Sequence, residues 1–231
     1  MGMFDFISKA GAKLGIDYFE KQEAAKKLDS EVERVKVEQA LRDQMSAELT
    51  EKVIALGLDV DAPTVRVRAN GVAHVAGTAR SQAGKEKLIV FVGNHEGISQ
   101  VNDDALTVVV PEPPGVLHRV RTGDTLSLIA KHYYGIIMAY PQIATANQQL
   151  IKNVDALDVH WVIRVPPISG IKYTVKQGDT LGGIAKTMYG DAKLYTKIFE
   201  ASRDVVSNAD VVTPGMELTV PVLHALQSAS A

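Results

Sequence analysis

The sequence predicts an α+β protein, in which a small α-β-β-α-β domain precedes two copies of a β-α-α-β unit. A segment that recurs after 55 residues predicts the two copies. Alternating apolar residues on both sides of Asn70-Gly71 predict a β-hairpin, since a type I′ turn needs positive φ at both central positions. Apolar residues at helical spacing predict the helices that flank this hairpin.

The chain begins with a pattern that favours an amphipathic helix over residues 3–19, because Met3, Ile7, Ala10 and Leu14 fall on one stripe. We expect residues 1–20 to dock on the domain that follows. Residues 21–30 are predominantly polar and are expected to be a connector.

The first domain is expected over residues 31–112. Ser30 and Glu33 form a capping-box pattern at the start of its first helix. That helix is expected to end at Gly57 or Asp59. The remaining elements follow in order: strands at 64–69 and 72–77, a helix at 81–92 and a strand at 98–110.

Residues 111–115, Pro-Glu-Pro-Pro-Gly, predict a stiff linker and a domain boundary. Beyond it, the two repeat units are expected at 116–167 and 171–223, followed by a disordered tail at 224–231. The paired turn residues Asp124 and Asp179 precede Thr125 and Thr180, which are expected to cap the first helix of each unit.

The composition restricts the classes of function. The chain has 231 residues, a net charge of −2 and no cysteine. The charge disfavours general nucleic-acid binding, which needs a basic surface. The missing cysteines exclude disulfides and thiolate metal sites, and they fit a reducing compartment. The N-terminus lacks the pattern of a signal peptide, and no apolar run approaches the ~20 residues that span a bilayer. We therefore expect a cytoplasmic protein without an integral membrane segment. We also expect a monomer.

The sequence shows no pattern typical of an enzyme. Gly-Asp-Thr-Leu, at residues 123–126 and 178–181, is explained by a turn aspartate and a capping threonine. No two histidines stand at i, i+4, so a transition-metal site is not indicated. We expect no catalytic residues.

The loop from Gly93 to Ile98 follows an apolar helical run. Gly93 is expected to end that helix by adopting positive φ. With Gly97 it encloses a tight loop, in which several backbone carbonyls can turn to one side. From spacing alone, a helix cap that leads into a strand explains the loop.

The repeat units resemble LysM domains. The second copy carries the closer match, in Tyr173–Leu181, Tyr189-Gly190, Ile198–Ala201 and Leu218–Pro221, together with Pro214-Gly215 before the last strand. The first copy departs from the pattern, because Val159-His160 replaces that Pro-Gly. The α-β-β-α-β segment resembles a BON domain, with glycines at the expected places in Asn70-Gly71 and Val92–Ile98.

With the N-terminal residues Gly2, Phe4, Phe6 and Ala10-Gly11, this combination resembles the family of cytosolic bacterial potassium-binding proteins with BON and LysM domains. That family has one LysM domain, so the first copy is interpreted as an insertion. The resemblance implies one K⁺ ion held by main-chain carbonyls. It assigns them to these residues: Ile7, Ala10, Ala12, Gly93, His95 and Ile98.

This resemblance implies a K⁺ sensor or buffer, with the LysM domains relaying the ordered state to each other or to a protein partner. Neutral carbonyl dipoles suit K⁺, which is large and weakly hydrated. One alternative is an envelope protein that binds peptidoglycan or another N-acetylglucosamine glycan through its LysM domains. A further alternative is a scaffold whose N-terminal helix docks on a membrane or a partner.

Overall fold

The computed structural model describes residues 3–7, 9 and 18–224. An N-terminal domain of helices and strands is followed by the two repeat units, and the predicted α+β class is confirmed. The strands are β1 (Met3–Asp5), β2 (Val60–Val67), β3 (Val72–Ser81), β4 (Gln100–Val110), β5 (Val116–Arg119), β6 (Val162–Val165), β7 (Gly170–Thr174) and β8 (Glu217–Pro221). The α-helices are α1 (Tyr18–Lys26), α2 (Glu31–Leu56), α3 (Gln82–Gly93), α4 (Leu126–Tyr134), α5 (Tyr140–Ala146), α6 (Leu181–Tyr189) and α7 (Tyr195–Ala201).

The N-terminal domain is built on a four-stranded sheet of order β1-β4-β3-β2. The β3–β4 pair is parallel and is connected through α3, whereas the other two pairs are antiparallel. Helices α2 and α3 share one core with the sheet. Fully buried members of that core include Met45, Leu49, Leu88, Ile89 and Ile98.

Local residue chemistry sets the ends of these elements as predicted. The Ser30 hydroxyl accepts the Glu33 N–H at 3.4 Å, and Gly57 ends α2 with φ of 57°. In the hairpin, Asn70 and Gly71 have φ of 63° and 74°, so both take the left-handed conformation that the Asn-Gly pair predicts.

The predicted helix over residues 3–19 is wrong at its beginning. Met3–Asp5 is a strand that pairs with β4, with Phe4 opposite Val101. Phe4 and Phe6 have the two-residue period of a strand, and the edge of β4 supplies the backbone partners that an isolated segment lacks. Residues 8 and 10–17 of this prediction lie outside the described residues. The expected connector contains α1, which packs on α2 and buries Tyr18 and Ala25.

Each repeat unit has the predicted order of strand, turn, two helices and strand. The capping roles of Thr125 and Thr180 are confirmed by bonds from Leu128 N–H at 3.2 Å and from Gly183 N–H at 3.1 Å. The two units share one apolar core. At their contact, the Leu223 N–H donates to the Tyr134 carbonyl at 2.9 Å.

Within the described ranges, no helix is both long enough and apolar enough to cross a membrane.

Candidate cation site

The structure describes four of the six residues assigned by resemblance to K⁺ binding. Gly93 is the last residue of α3, His95 lies in the turn that follows, and Ile98 is fully buried before β4. Ile7 follows β1 and is 39% exposed. The assignments to Ala10 and Ala12 fall outside the described residues.

Phe6 connects the N-terminal strand with the loop of residues 93–98, called here the 93–98 loop. Its N–H donates to the Ser99 carbonyl at 2.7 Å. Its ring covers Gly93 so closely that a Cβ at that position would overlap the ring. These two contacts bring Ile7, the next residue, to the 93–98 loop from a distance of about 90 residues along the chain.

The predicted role of Gly93 as a positive-φ cap is wrong. The helix continues through Gly93 and is capped by Asn94 at φ of −83°. Gly93 is needed because the Phe6 ring occupies the space of a side chain. The positive φ of the loop, 89°, belongs to Gly97, which also lies against Tyr18 and Met45.

His95 is buried and neutral at pH 7. Burial lowers the pKa of its imidazole from 6.5 to about 4. The neutral ring donates through Nδ1 to the Phe91 carbonyl at 2.7 Å and packs edge-on against the Phe91 ring. The His95 carbonyl accepts the Ile98 N–H at 3.1 Å, which closes the turn. The histidine therefore brings no positive charge to the loop.

Glu96 is the acidic residue of this loop, and its Oε2 atom is buried. Among the described residues this oxygen has neither a hydrogen-bond donor nor a basic partner. An oxygen of this kind can accept a hydrogen bond from a water molecule or contact a cation. The family resemblance did not single out Glu96, since it assigned backbone oxygens only. The feature of the sequence that could have indicated Glu96 is an acidic residue between Gly93 and Gly97.

Asn94 joins the loop to the first repeat unit. Its Nδ2 donates to the Val162 carbonyl at 2.7 Å, and its Oδ1 accepts the Val162 N–H at 2.8 Å. Near this pair, the buried Arg164 and Glu86 side chains form an ion pair at 2.6 Å between Nε and Oε2. Sequence reasoning missed both contacts, because Asn94 is explained as a cap and nothing in the sequence links positions 94 and 162.

The N-terminal strand is also held by the first repeat unit. Arg119, at the end of β5, donates through Nη2 to the Asp5 carbonyl at 2.7 Å. The Asp5 side chain accepts from Gln100 Nε2 at the same distance. The region around the 93–98 loop therefore combines three parts of the chain: the N-terminal strand, the end of α3 and the first repeat unit.

The residues present fit a large monovalent cation. The loop offers neutral backbone carbonyls together with the unpartnered Glu96 oxygen, and His95 contributes no charge. The carbonyls suit an ion that is weakly hydrated and accepts carbonyl dipoles, and the carboxylate adds attraction for any cation. Binding there would hold the N-terminal segment on the domain.

The turn aspartates of the repeat units have structural roles, as predicted. Asp124 Oδ2 accepts the Arg121 N–H at 2.8 Å and lies 2.9 Å from His118 Nε2. In the second unit, Asp179 Oδ2 accepts the Lys176 N–H at 2.8 Å and the Tyr173 hydroxyl at 2.7 Å. Bonds from Lys176 and Tyr173 lower the pKa of Asp179.

The repeat units match a known protein family. The LysM domain profile matches residues 118–166 and 173–221, so both repeat units are LysM domains. Potassium binding protein Kbp of Escherichia coli is 31% identical over 169 residues, which cover 72% of this chain and 99% of Kbp.

Two further proteins are similar over less than half of the chain. An esterase of Mycobacterium tuberculosis is 38% identical over 104 residues, which cover 45% of this chain and 22% of the esterase. The crystal structure of the spore cortex-lytic enzyme SleL of Bacillus megaterium is 30% identical over 47% of this chain and 23% of its own. Its TM-score of 0.20 is too low to support an argument about structure.

The match to Kbp extends over nearly the entire length of that protein. The chain therefore belongs to the family of the potassium binding protein Kbp, and it carries two LysM domains.

Proposed function

We propose that the protein binds K⁺ between its N-terminal segment and the 93–98 loop. The observation that carries this proposal is the packing of Phe6 on Gly93, together with its bond to Ser99, because these contacts bring Ile7 to the loop. The relation to Kbp, whose name states that it binds potassium, supports the identity of the ion.

The proposed ligands are backbone carbonyl oxygens from the two segments. They belong to Ile7, Ala10, Ala12, Gly93, His95 and Ile98. A cage of neutral dipoles can replace the hydration shell of K⁺, whereas Ca²⁺ prefers a shell rich in carboxylates. Gly93 leaves space for the Phe6 ring beside the proposed site. His95 is neutral, so its side chain does not repel a cation there.

We propose that binding of the ion orders the N-terminal segment on the domain that follows it. The ion would connect the N-terminal segment to a domain that we assign to the BON type, and this domain contacts the first LysM domain through Asn94. We propose a cytoplasmic monomer that senses or buffers K⁺ and binds rather than catalyses. At a K⁺ concentration 100 times the Kd, the folded state would gain about 2.7 kcal/mol.

Thermal unfolding tests this proposal. The midpoint should be higher in KCl than in NaCl at equal ionic strength, by about 5–10 °C at saturation. A chain that lacks residues 1–14 should unfold at the same temperature in both salts. Equal midpoints for the full chain would contradict the proposal.

Glycan binding is the second candidate function, and the observation that favours it is the profile match of both LysM domains. A pull-down on purified peptidoglycan, followed by competition with N-acetylglucosamine oligomers, tests this function. Retention that the oligomers abolish would support it. Cell fractionation of the same protein would show whether it meets such a glycan.

A further inference from the structure

The carboxylate of Glu96 is the starting point for an inference that rests on the proposed K⁺ site. Glu96 lies between His95 and Gly97, so it belongs to the turn that supplies the proposed carbonyl ligands. Its side chain is partly buried, and its Oε2 atom is shielded from solvent. No Lys, Arg or His among the described residues pairs with it.

Other acids buried near this loop have partners. Glu86 is paired with Arg164 at 2.6 Å, and Asp103 is paired with Lys85 at the same distance. Both pairs follow the rule that buried carboxylates in proteins are compensated by a cation or by hydrogen bonds. Asp103 also leaves its Oδ1 atom without a hydrogen-bond partner, but its Oδ2 atom is paired with Lys85. Glu96 differs because its carboxylate has no such pair among the described residues, and it lies in the loop that the family relation connects with a cation.

We propose that Glu96 supplies a negative charge to the cation site and thereby determines its selectivity. A cage of neutral carbonyls discriminates strongly against divalent ions, whose dehydration it does not compensate. An added carboxylate strengthens the binding of every cation, and it favours Ca²⁺ most. In a fixed geometry, the Coulomb energy of a divalent ion with the carboxylate is twice that of K⁺. The site of this protein therefore binds K⁺ with raised affinity and also admits Ca²⁺.

The variant Glu96→Gln isolates the charge, because it keeps the size of the side chain. Thermal unfolding would be followed at pH 7.5 in choline chloride of constant ionic strength, with KCl or CaCl₂ added in steps. Wild type should respond to both cations. In the variant, the KCl concentration that gives half of the effect should rise about tenfold, and the CaCl₂ concentration about a hundredfold. The preference for K⁺ over Ca²⁺ would then rise about tenfold.

The midpoint without added cation supplies a second readout. Removal of a partly buried charge whose Oε2 atom has no hydrogen-bond partner should leave the variant as stable as wild type in choline chloride, or more stable. A purely structural Glu96 would make the variant less stable there. Glu51→Gln, an exposed position on α2, changes the net charge equally and should leave both cation responses unchanged.

The outcomes separate this inference from the proposed function. An unaltered response to KCl in Glu96→Gln, or a wild type that responds to KCl but not to CaCl₂, would overturn the role of Glu96 and leave the K⁺ site standing. A wild type without any KCl-specific response would overturn both.

Discussion

At Gly93, the absence of a side chain leaves room for the Phe6 ring, which belongs to a distant segment of the chain. The Phe6 ring occupies the position of a Cβ at residue 93, and Phe6 is part of the segment that carries Ile7. The requirement at this position is therefore space rather than backbone conformation.

Gly93→Ala is expected to displace the Phe6 ring and to destabilise the protein by about 1–3 kcal/mol. The N-terminal segment should then be cleaved faster in limited proteolysis, and the difference between KCl and NaCl midpoints should shrink. Gly182→Ala is the matched control. Gly182 lies in α6 with open space around it, and alanine there should stabilise the helix by about 0.5–1 kcal/mol. Equal proteolysis rates for wild type and Gly93→Ala would refute this role of Gly93.

His95 predicts a specific dependence of stability on pH. Its pKa is lowered to about 4 by burial, so between pH 4 and 6.5 the unfolded chain binds a proton that the folded chain does not. Stability should therefore rise with pH across this window and level off above about pH 7.5. Between pH 5 and 6.5 the gain should be about 1.5 kcal/mol.

Denaturant unfolding in NaCl at several pH values measures this gain. His95→Asn keeps a donor for the Phe91 carbonyl but cannot titrate, so its stability should change less over the same range. A wild-type curve that is flat between pH 5 and 6.5 would contradict the burial of a neutral His95.

His160 occupies a position where the second LysM domain has glycine. The φ values of His160 and Gly215 are 80° and 92°, both in the left-handed region. A side chain in this region is unfavourable by about 1 kcal/mol. His160→Gly should therefore stabilise the protein by up to about 1 kcal/mol, and Gly215→His should destabilise it by a similar amount. Chemical denaturation of both variants checks the prediction, and changes of the same sign would contradict it.

At the scale of elements, strand β6 is held by two asparagines that make the same contacts. Asn147, which caps α5, donates to the Arg164 carbonyl at 2.7 Å and accepts the Arg164 N–H at 2.8 Å. Asn94, which caps α3, pairs with Val162 at the same distances. In the second LysM domain, Ser202 and Thr219 correspond to Asn147 and Arg164, and they form the equivalent contact within that domain. Asn94 is thus the added contact through which a helix of the N-terminal domain holds β6.

Replacing either asparagine with alanine leaves a buried N–H and a buried carbonyl of β6 unpaired, which costs about 1–3 kcal/mol for each group. We expect Asn94→Ala and Asn147→Ala to lower the unfolding midpoint by similar amounts. Asn94→Ala should also reduce the stabilisation by KCl, since Asn94 lies between two proposed ligands. Asn147→Ala should preserve that stabilisation. A KCl response that is equally reduced in both variants would argue against a specific role of Asn94.

The sequence predicted those elements whose determinants are local. Thr125, Thr180, Gly57 and the Asn70-Gly71 pair act within a few residues, so their roles could be inferred without the fold. The strand Met3–Asp5 could not be inferred, because its conformation depends on β4, about 100 residues later. The same limit applies to the site. The family resemblance named the loop, whereas Phe6 on Gly93, the Asn94 bridge and the unpartnered Glu96 oxygen arise only from tertiary packing.

At the scale of the whole molecule, the first LysM domain lies between the N-terminal domain and the second LysM domain. It contacts the N-terminal domain through Asn94, the Glu86–Arg164 ion pair and the Arg119 bond to Asp5. It shares an apolar core with the second. Interpreted from sequence as an insertion, this copy is the one that contacts the proposed ion site. Among the described residues, these contacts connect the 93–98 loop with the second LysM domain through the first.

Anomalous diffraction from a crystal grown with Tl⁺ in place of K⁺ tests the central claim most directly. The account predicts one strong peak between Ile7 and the 93–98 loop, surrounded by backbone carbonyl oxygens at distances longer than the 2.3–2.6 Å typical of calcium. A map without a peak at this position, or with its strongest protein-bound peak elsewhere, would contradict the account.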